Sequence, residues 1–222
     1  MSTRSAIWLN LTMCLMALGY SLYLYPIMPD RVPIHWNIRG EVDGYGDKSW
    51  AVFITPAVMV GLLLLFRILP WLSPKPFSLD TFRGTYEFVV ALVMGLMAYI
   101  HGLMLWAAFG EPIDIGRALV AGLCLFFALM GNVLGKVRRN FFMGVRTPWT
   151  LASERVWIDT HRLAARLFVA AGLIGFVLCL VLGGPAAFIA AFAAIMTAAF
   201  SPAVYSLVHY KHLERQGGLG AP

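Results

Sequence analysis

RRNFFMGVRTPWTLASERVWIDTH, residues Arg138–His161, is a basic and polar block set between two runs apolar enough to cross a lipid bilayer. Charge is costly at bilayer depth, so such a block beside the membrane needs a topological or a functional reason. The whole chain agrees with that setting. Its 222 residues are 60% hydrophobic and only 13% charged, far from the roughly one quarter charged of soluble domains. The formal charge of +6 therefore points to cations gathered on one membrane face rather than to nucleic acid.

Working outward from the block, six apolar spans can be marked: Ala6–Tyr25, Ala51–Leu69, Tyr86–Phe109, Arg117–Gly135, Ala165–Leu182 and Pro185–Val208. Each approaches the roughly 20 residues that cross about 30 Å of hydrocarbon at about 1.5 Å per residue. The first has a faint signal-peptide look, with Arg4 ahead of it and Ala17-Leu18-Gly19 within it. It runs past that point and is expected to be a retained helix. Thirteen of the lysines and arginines fall on one side of the spans (Arg4; Arg67, Lys75, Arg83; Lys136, Arg138, Arg139, Arg146, Arg155, Arg162, Arg166; Lys211, Arg215). Four (Arg31, Arg39, Lys48, Arg117) fall on the other. The richer side belongs in the cytoplasm, so both termini are expected inside. The expected fold is an all-α integral membrane protein of six transmembrane helices, with a structured outer loop and a polar inner loop and helix. The expected divisions are 1–70, with the outer loop 26–50; 71–135; 136–208; and a cytoplasmic tail, 209–222.

The outer loop, PIMPDRVPIHWNIRGEVDGYGDKSW (Pro26–Trp50), is long for a helix connection. Pro26, Pro29 and Pro33 favour extended backbone, and Gly40, Gly44 and Gly46 permit tight turns. Its acids and bases nearly cancel, and some of its aromatics suit the headgroup level. Gly183-Gly184-Pro185 predicts a tight outer turn before the last span. There, alanine recurs at Ala186, Ala190, Ala194 and Ala198, and the fourth span carries Gly131 and Gly135. Small residues at this spacing let helices approach closely.

Within the inner block, Asn140–Thr150 is loop-like. Gly144 permits irregular backbone, and Thr147-Pro148 predicts a helix start with proline at its first position. From about Leu151 a helix is expected, with Arg155 four residues from Asp159 and with Trp157, His161 and Ala165 on one face. A basic amphipathic helix held at the leaflet by tryptophan and anionic lipid accounts for much of this. Asn140, Thr147, Thr150, Asp159, Thr160 and His161 exceed what a lipid anchor needs. The five fixed donors of Arg146 make Asn140, Thr147 and Asp159 its expected acceptors.

The stretch from Gly135 through Gly172, centred on NFFMGVRTPWTL, resembles the SdpI family of bacterial membrane proteins. The outer loop, with Pro33, then His35 and Asn37, then a run of Gly and Asp, resembles the small module that often accompanies it. The resemblance implies a multi-pass protein of the bacterial cytoplasmic membrane that protects against a secreted toxin, and in some members signals to a cytoplasmic regulator. It implies outer ligand- or partner-binding residues Pro33, His35, Asn37, Gly40, Asp43, Gly44 and Lys48. It also implies an inner motif of Asn140, Gly144, Arg146, Thr147, Pro148, Trp149, Thr150, Trp157, Thr160 and His161.

The third span holds Glu87 and His101, fourteen residues apart and so within about 40° of one direction on a helix. Such intramembrane groups raise an alternative, a small transporter or ion conduit. Blander readings have Glu87 reaching the headgroups, His101 bonded within the fold, and Arg67 extending its charge to the interface. His35, His101 and His161 are spread over three depths and cannot share a metal. No HExxH, calcium loop, serine elbow or phosphate-cradling loop is present, which leaves a membrane enzyme built on Asn140, Arg146 and His161 as a weaker alternative. Cys14, Cys124 and Cys179 form no CxxC pair and read as packing residues. The expected partners are the bilayer, an extracytoplasmic toxin and a cytoplasmic regulator, with no cofactor and no direct nucleic-acid contact.

Overall fold

The computed structural model describes residues 1–110, 114–182 and 184–219. Six long helices carry the fold: α1 (Thr3–Leu24), α2 (Lys48–Leu72), α3 (Arg83–Ala107), α4 (Ile115–Leu134), α6 (Glu154–Val181) and α7 (Gly184–Arg215). All six are long and apolar enough to span a membrane, and Leu, Ile, Val and Phe side chains stand exposed along their outer faces. Water would penalise that surface at about 25 cal/mol per Å² and lipid does not. The chain is a multi-pass membrane protein. An even number of spans brings both termini to one end of the bundle, the termini end. The opposite end carries the loop 26–50 and is called the hairpin end.

That loop is more regular than an all-α reading suggests. Arg31–Trp36 (β1) and Val42–Asp47 (β2) pair antiparallel, with Arg31 opposite Asp47 and Trp36 opposite Val42. Asp47 then caps α2, its carboxylate accepting from the Ser49 amide at 2.8 Å, so strand and helix join without a linker.

The helices form two packs. In one, α1, α2 and α3 enclose Cys14, Met59, Tyr86 and Met94, together with Leu134 and Trp157 from the other pack. In the other, α6 lies along both α4 and α7. A Cβ on Gly172 of α6 would come within 2.5 Å of the Cys124 carbonyl of α4, and one on Gly131 within 2.8 Å of the Val169 amide. Gly131 thus sets the close approach expected of it, while Gly135 has only an ordinary contact with Ala165. The buried row of α7 is Ala187, Ala191, Ile195 and Ala198. It lies one residue on from the expected Ala186, Ala190 and Ala194, because the side chains that meet α6 fix the helix rotation, and a four-residue repeat does not. Two other expectations also change. Helix α7 continues to Arg215 rather than stopping at Val208, so most of the expected tail is helical. Gly183 of the expected turn lies outside the described residues, and α7 begins at Gly184, where φ is +61°.

Candidate functional site

The polar block Arg138–His161 folds at the termini end into a closed knot. Asn140 is fully buried and uses its whole amide: Oδ1 accepts from the Phe142 and Met143 amides at 2.7 and 2.8 Å, and Nδ2 donates to the Arg138 and Met143 carbonyls at 2.8 and 3.1 Å. This pulls Asn140–Met143 into a tight loop that ends at Gly144, where φ is +105° and a Cβ would collide with Nε2 of His161. That nitrogen instead accepts from the Val145 amide at 3.0 Å, while Nδ1 bonds the Trp157 carbonyl at 2.8 Å. The pair of bonds fixes the tautomer: Nδ1 carries the proton and donates, leaving Nε2 as the acceptor. Trp157 stacks on the imidazole with ring centroids 4.0 Å apart and donates Nε1–H to the Val137 carbonyl at 2.8 Å.

The second half of the knot is a reciprocal helix cap. Thr147 accepts from the Thr150 amide at 3.2 Å, and the Thr150 hydroxyl accepts from the Thr147 amide at 2.9 Å, with Pro148 at the first helical position. Thr150 also donates to the Val145 carbonyl at 2.8 Å. The Thr147 hydroxyl lies 2.9 Å from that of Ser206, which ties the motif to α7. The short helix α5 (Pro148–Ala152) ends at Ser153, whose hydroxyl caps α6. The helix expected from Leu151 therefore falls in two pieces, and its second piece continues unbroken into the fifth span.

Several expected roles change here. Arg146 does not reach Asn140, Thr147 or Asp159; its Nη1 donates to the Phe141 carbonyl, closing the same loop from its exposed side. Asp159 pairs with His209 at 3.0 Å and lies 4.0 Å from Arg162, so its partners are one turn ahead and on α7 rather than Arg155. Trp149 is half-buried beside the cap. Thr160 is fully buried, and among the described residues its hydroxyl has no partner.

Glu87 and His101 occupy separate polar islands. Glu87 has no exposed surface and takes Arg67 in a forked pair at 3.2 and 2.7 Å and Arg83 at 3.0 Å. Neither Glu87 nor Arg67 extends to the headgroups as expected, because each is the other's counter-ion, and a buried carboxylate needs one. The Nε2 of His101 lies 2.6 Å from the Ser21 hydroxyl of α1, and its buried Nδ1 has no partner among the described residues. Between the two islands α3 presents Val90 and Met94, both buried and apolar.

At the hairpin end, the expected loop residues fall into two groups. Asn37 builds the turn: its Oδ1 accepts from the Arg39 and Glu41 amides at 2.8 and 3.1 Å, and its Nδ2 donates to Glu41 at 2.8 Å. The Asn37 bond, with Arg39 second, holds the Glu41 carboxyl below the usual carboxylate range. Gly40, at φ +78°, seats this turn on the start of α4, where a Cβ on Gly116 would lie 3.0 Å from the Gly40 Cα. Pro33 is buried opposite Tyr45. His35, opposite Gly44, is exposed and bonds Asp43 at 2.5 Å. Lys48 pairs with Asp30 at 2.9 Å and is turned away from the tip. Among the described residues no cluster of three or more His, Cys, Asp or Glu could hold a metal.

Residues 136–206, the knot with α6 and most of α7, match the SdpI/YfhL protein family. Residues 12–60, the hairpin with its flanking helices, match a domain of unknown function, DUF1648. The chain is thus similar to the SdpI/YfhL family over residues 136–206 and to DUF1648 over residues 12–60. The immunity protein SdpI of Bacillus subtilis (strain 168) is 29% identical over 155 residues, covering 69% of this chain and 72% of that protein. No solved structure matches. Within the matched residues 136–206, Ser206 is the motif partner that sequence reading missed. A serine inside an apolar helix, 59 residues from Thr147, carries no local signal of that contact. Arg83, a topological charge in the sequence, also stands four residues before Glu87, and that spacing is an ordinary helix-pair signal.

Proposed function

We propose that this protein protects the cell that makes it from a secreted peptide or protein toxin, with the hairpin end outside and the knot in the cytoplasm. The observation that carries this reading is the likeness, over 69% of the chain, to a protein named for immunity. The thirteen cations at the termini end against four at the hairpin end support the orientation. The knot supports a scaffold role for the inner motif, since Asn140, Thr147, Thr150 and His161 are committed to bonds within the chain. A deletion strain of the host, plated against its parent, should show a zone of inhibition that re-expression of the chain abolishes. Equal growth of the deletion strain beside its parent would refute protection.

Signalling to a cytoplasmic regulator would use the exposed cations of the same end, Lys136, Arg138, Arg146 and Arg155. Reversing Arg138 and Arg155 to Glu should then abolish a toxin-induced transcript while leaving protection intact. A conduit is the second reading, favoured by one observation. Asn10 of α1 and Nδ1 of His101 are buried without partners among the described residues, and orphaned polar atoms of this kind commonly hold internal water. An ion flux in proteoliposomes, lost in both Glu87→Gln and His101→Ala, would support it in place of immunity.

A further inference from the structure

The buried row of α1 is Ala6, Asn10, Cys14, Ala17, Ser21 and Leu24. Asn10 is the anomaly in it. Its side chain has no exposed surface, and neither Oδ1 nor Nδ2 has a partner among the described residues. An amide is among the costlier groups to bury unpaired, and nearly all buried amides in native proteins find a partner. Asn140, equally buried, uses its whole amide within the chain.

The register of three helices sets the level at which Asn10 lies. Leu24 of α1, Val52 of α2 and Leu105 of α3 pack together in one cluster. Fourteen residues from each toward the termini end stand Asn10, Phe66 and Ala91, about 21 Å away at about 1.5 Å per residue. Ser21 meets His101, and the Met1 backbone lies 3.6 Å from where a Cβ on Gly84 would stand, so α1 and α3 hold this register to within a turn. Asn10 is therefore level with Arg67, one residue past Phe66, and about one turn from Glu87. Here lies a second anomaly. Arg67 spends Nη1 and Nη2 on Glu87, and its buried Nε has no partner among the described residues.

The unpaired atoms select their ligand. Nε–H and Nδ2 are donors that need an acceptor, and Oδ1 is an acceptor that needs a donor. Water is both, whereas an acyl chain is neither. Arg67 and Arg83 are balanced by Glu87 and Asp80, so the local charge favours a neutral ligand. Two guanidinium groups repel a cation, and an anion would face the Glu87 carboxylate and leave Oδ1 without a donor. A direct bond from Arg67 to Oδ1 would leave Nδ2 unanswered.

We propose that internal water, in one or two molecules, binds between Asn10 of α1 and Arg67 of α2. It accepts from Nε–H and Nδ2 and donates to Oδ1. The water joins α1 to the Arg67–Glu87 pair of α2 and α3, making one polar cluster of three helices. Arg67, whose side chain is 23% exposed, links the site to solvent at the termini end. The site stands on either functional reading.

Solid-state NMR of the ¹⁵N-labelled chain in bilayers tests this through magnetisation passed from water protons to protein nitrogens. The backbone amide of Val90, buried on α3 at the same level and bonded within its helix, is the reference. Asn10 Nδ2 and Arg67 Nε should build up at least about threefold faster than Val90, as bound water requires. In Asn10→Leu the Arg67 Nε signal should lose most of that transfer, and the thermal midpoint should fall. Build-up at Asn10 no faster than at Val90 would overturn the site, and so would a higher midpoint for Asn10→Leu, the mark of an amide buried with no ligand. An Asn10-to-Arg67 cross-peak without water transfer would overturn it too, in favour of a direct bond. The measurement on the unmodified chain decides the matter even where Asn10→Leu fails to fold.

Discussion

Asn140→Ala should unfasten the knot while leaving the six helices in place. The side chain makes four hydrogen bonds, two accepted from the Phe142 and Met143 amides and two donated to the Arg138 and Met143 carbonyls. All four are made by a residue with no exposed surface. A net worth of about 0.5–1.5 kcal/mol for each bond sums to about 2–6 kcal/mol for the substitution. Alanine supplies no replacement partner, so the upper half of that range is expected. Asn140→Asp keeps both accepted bonds, but it turns a buried carboxylate oxygen against the Arg138 and Met143 carbonyls, and should cost at least as much as alanine. Trypsin cleavage after Arg146, an exposed residue of the loop, reads the local opening in detergent micelles, and reversible denaturation reads the global cost. Cleavage there should be slowest in the unmodified chain and faster in both Asn140→Ala and Asn140→Asp, with cleavage after Arg83 unaffected. If Asn140→Ala cleaved no faster than the unmodified chain, the bond network would not be what holds the motif.

Other expectations follow from the same geometry. Gly144→Ala places a methyl group against His161 Nε2 at a positive φ, and should cost about 1–3 kcal/mol from strain alone and reduce Trp157 burial as seen by fluorescence quenching. Glu87→Gln removes the anion shared by two partly exposed arginines, of which Arg83 keeps Asp80, and should destabilise the chain by about 1–3 kcal/mol, whereas pairing it with Arg67→Met should recover part of that loss in a double-mutant cycle. The Glu41 carboxyl titrates below a free glutamate, so its contribution to the hairpin turn is present above the free value of about 4.3 and is lost as pH falls through the folded value. Amide exchange at residues 37–41, corrected for intrinsic rates, should therefore rise below about pH 4, and Glu41→Gln should remove that dependence. Tyr45→Cys at the hairpin end and Ala152→Cys at the termini end are both exposed; only the first should label with an impermeant thiol reagent on intact cells, and the reverse result would invert the orientation.

Much of this protein is written in its sequence. The six spans follow from run length and hydropathy, because a bilayer demands about 20 apolar residues per crossing and closes every backbone hydrogen bond within each helix. The cap at Thr147-Pro148 and the special backbone at Gly144 are equally local, since their physics lies within one turn of chain. The family resemblance, too, was carried by contiguous residues. Long-range contact was not legible. Arg67 looked like an interfacial cation and Glu87 like a headgroup contact until α2 and α3 were laid together, because pairing depends on which faces of two helices meet. Thr147 finds Ser206 and Asp159 finds His209 only once α7 returns beside α6. The alanine row of α7 shifted by one residue for the same reason. A four-residue spacing leaves the rotation of a helix undetermined, and only packing against Gly175 and its neighbours chooses it. Even the level that Asn10 shares with Arg67 is a product of tertiary structure alone. It exists because α1 and α2 pack on each other and on α3, and nothing within a single span encodes that.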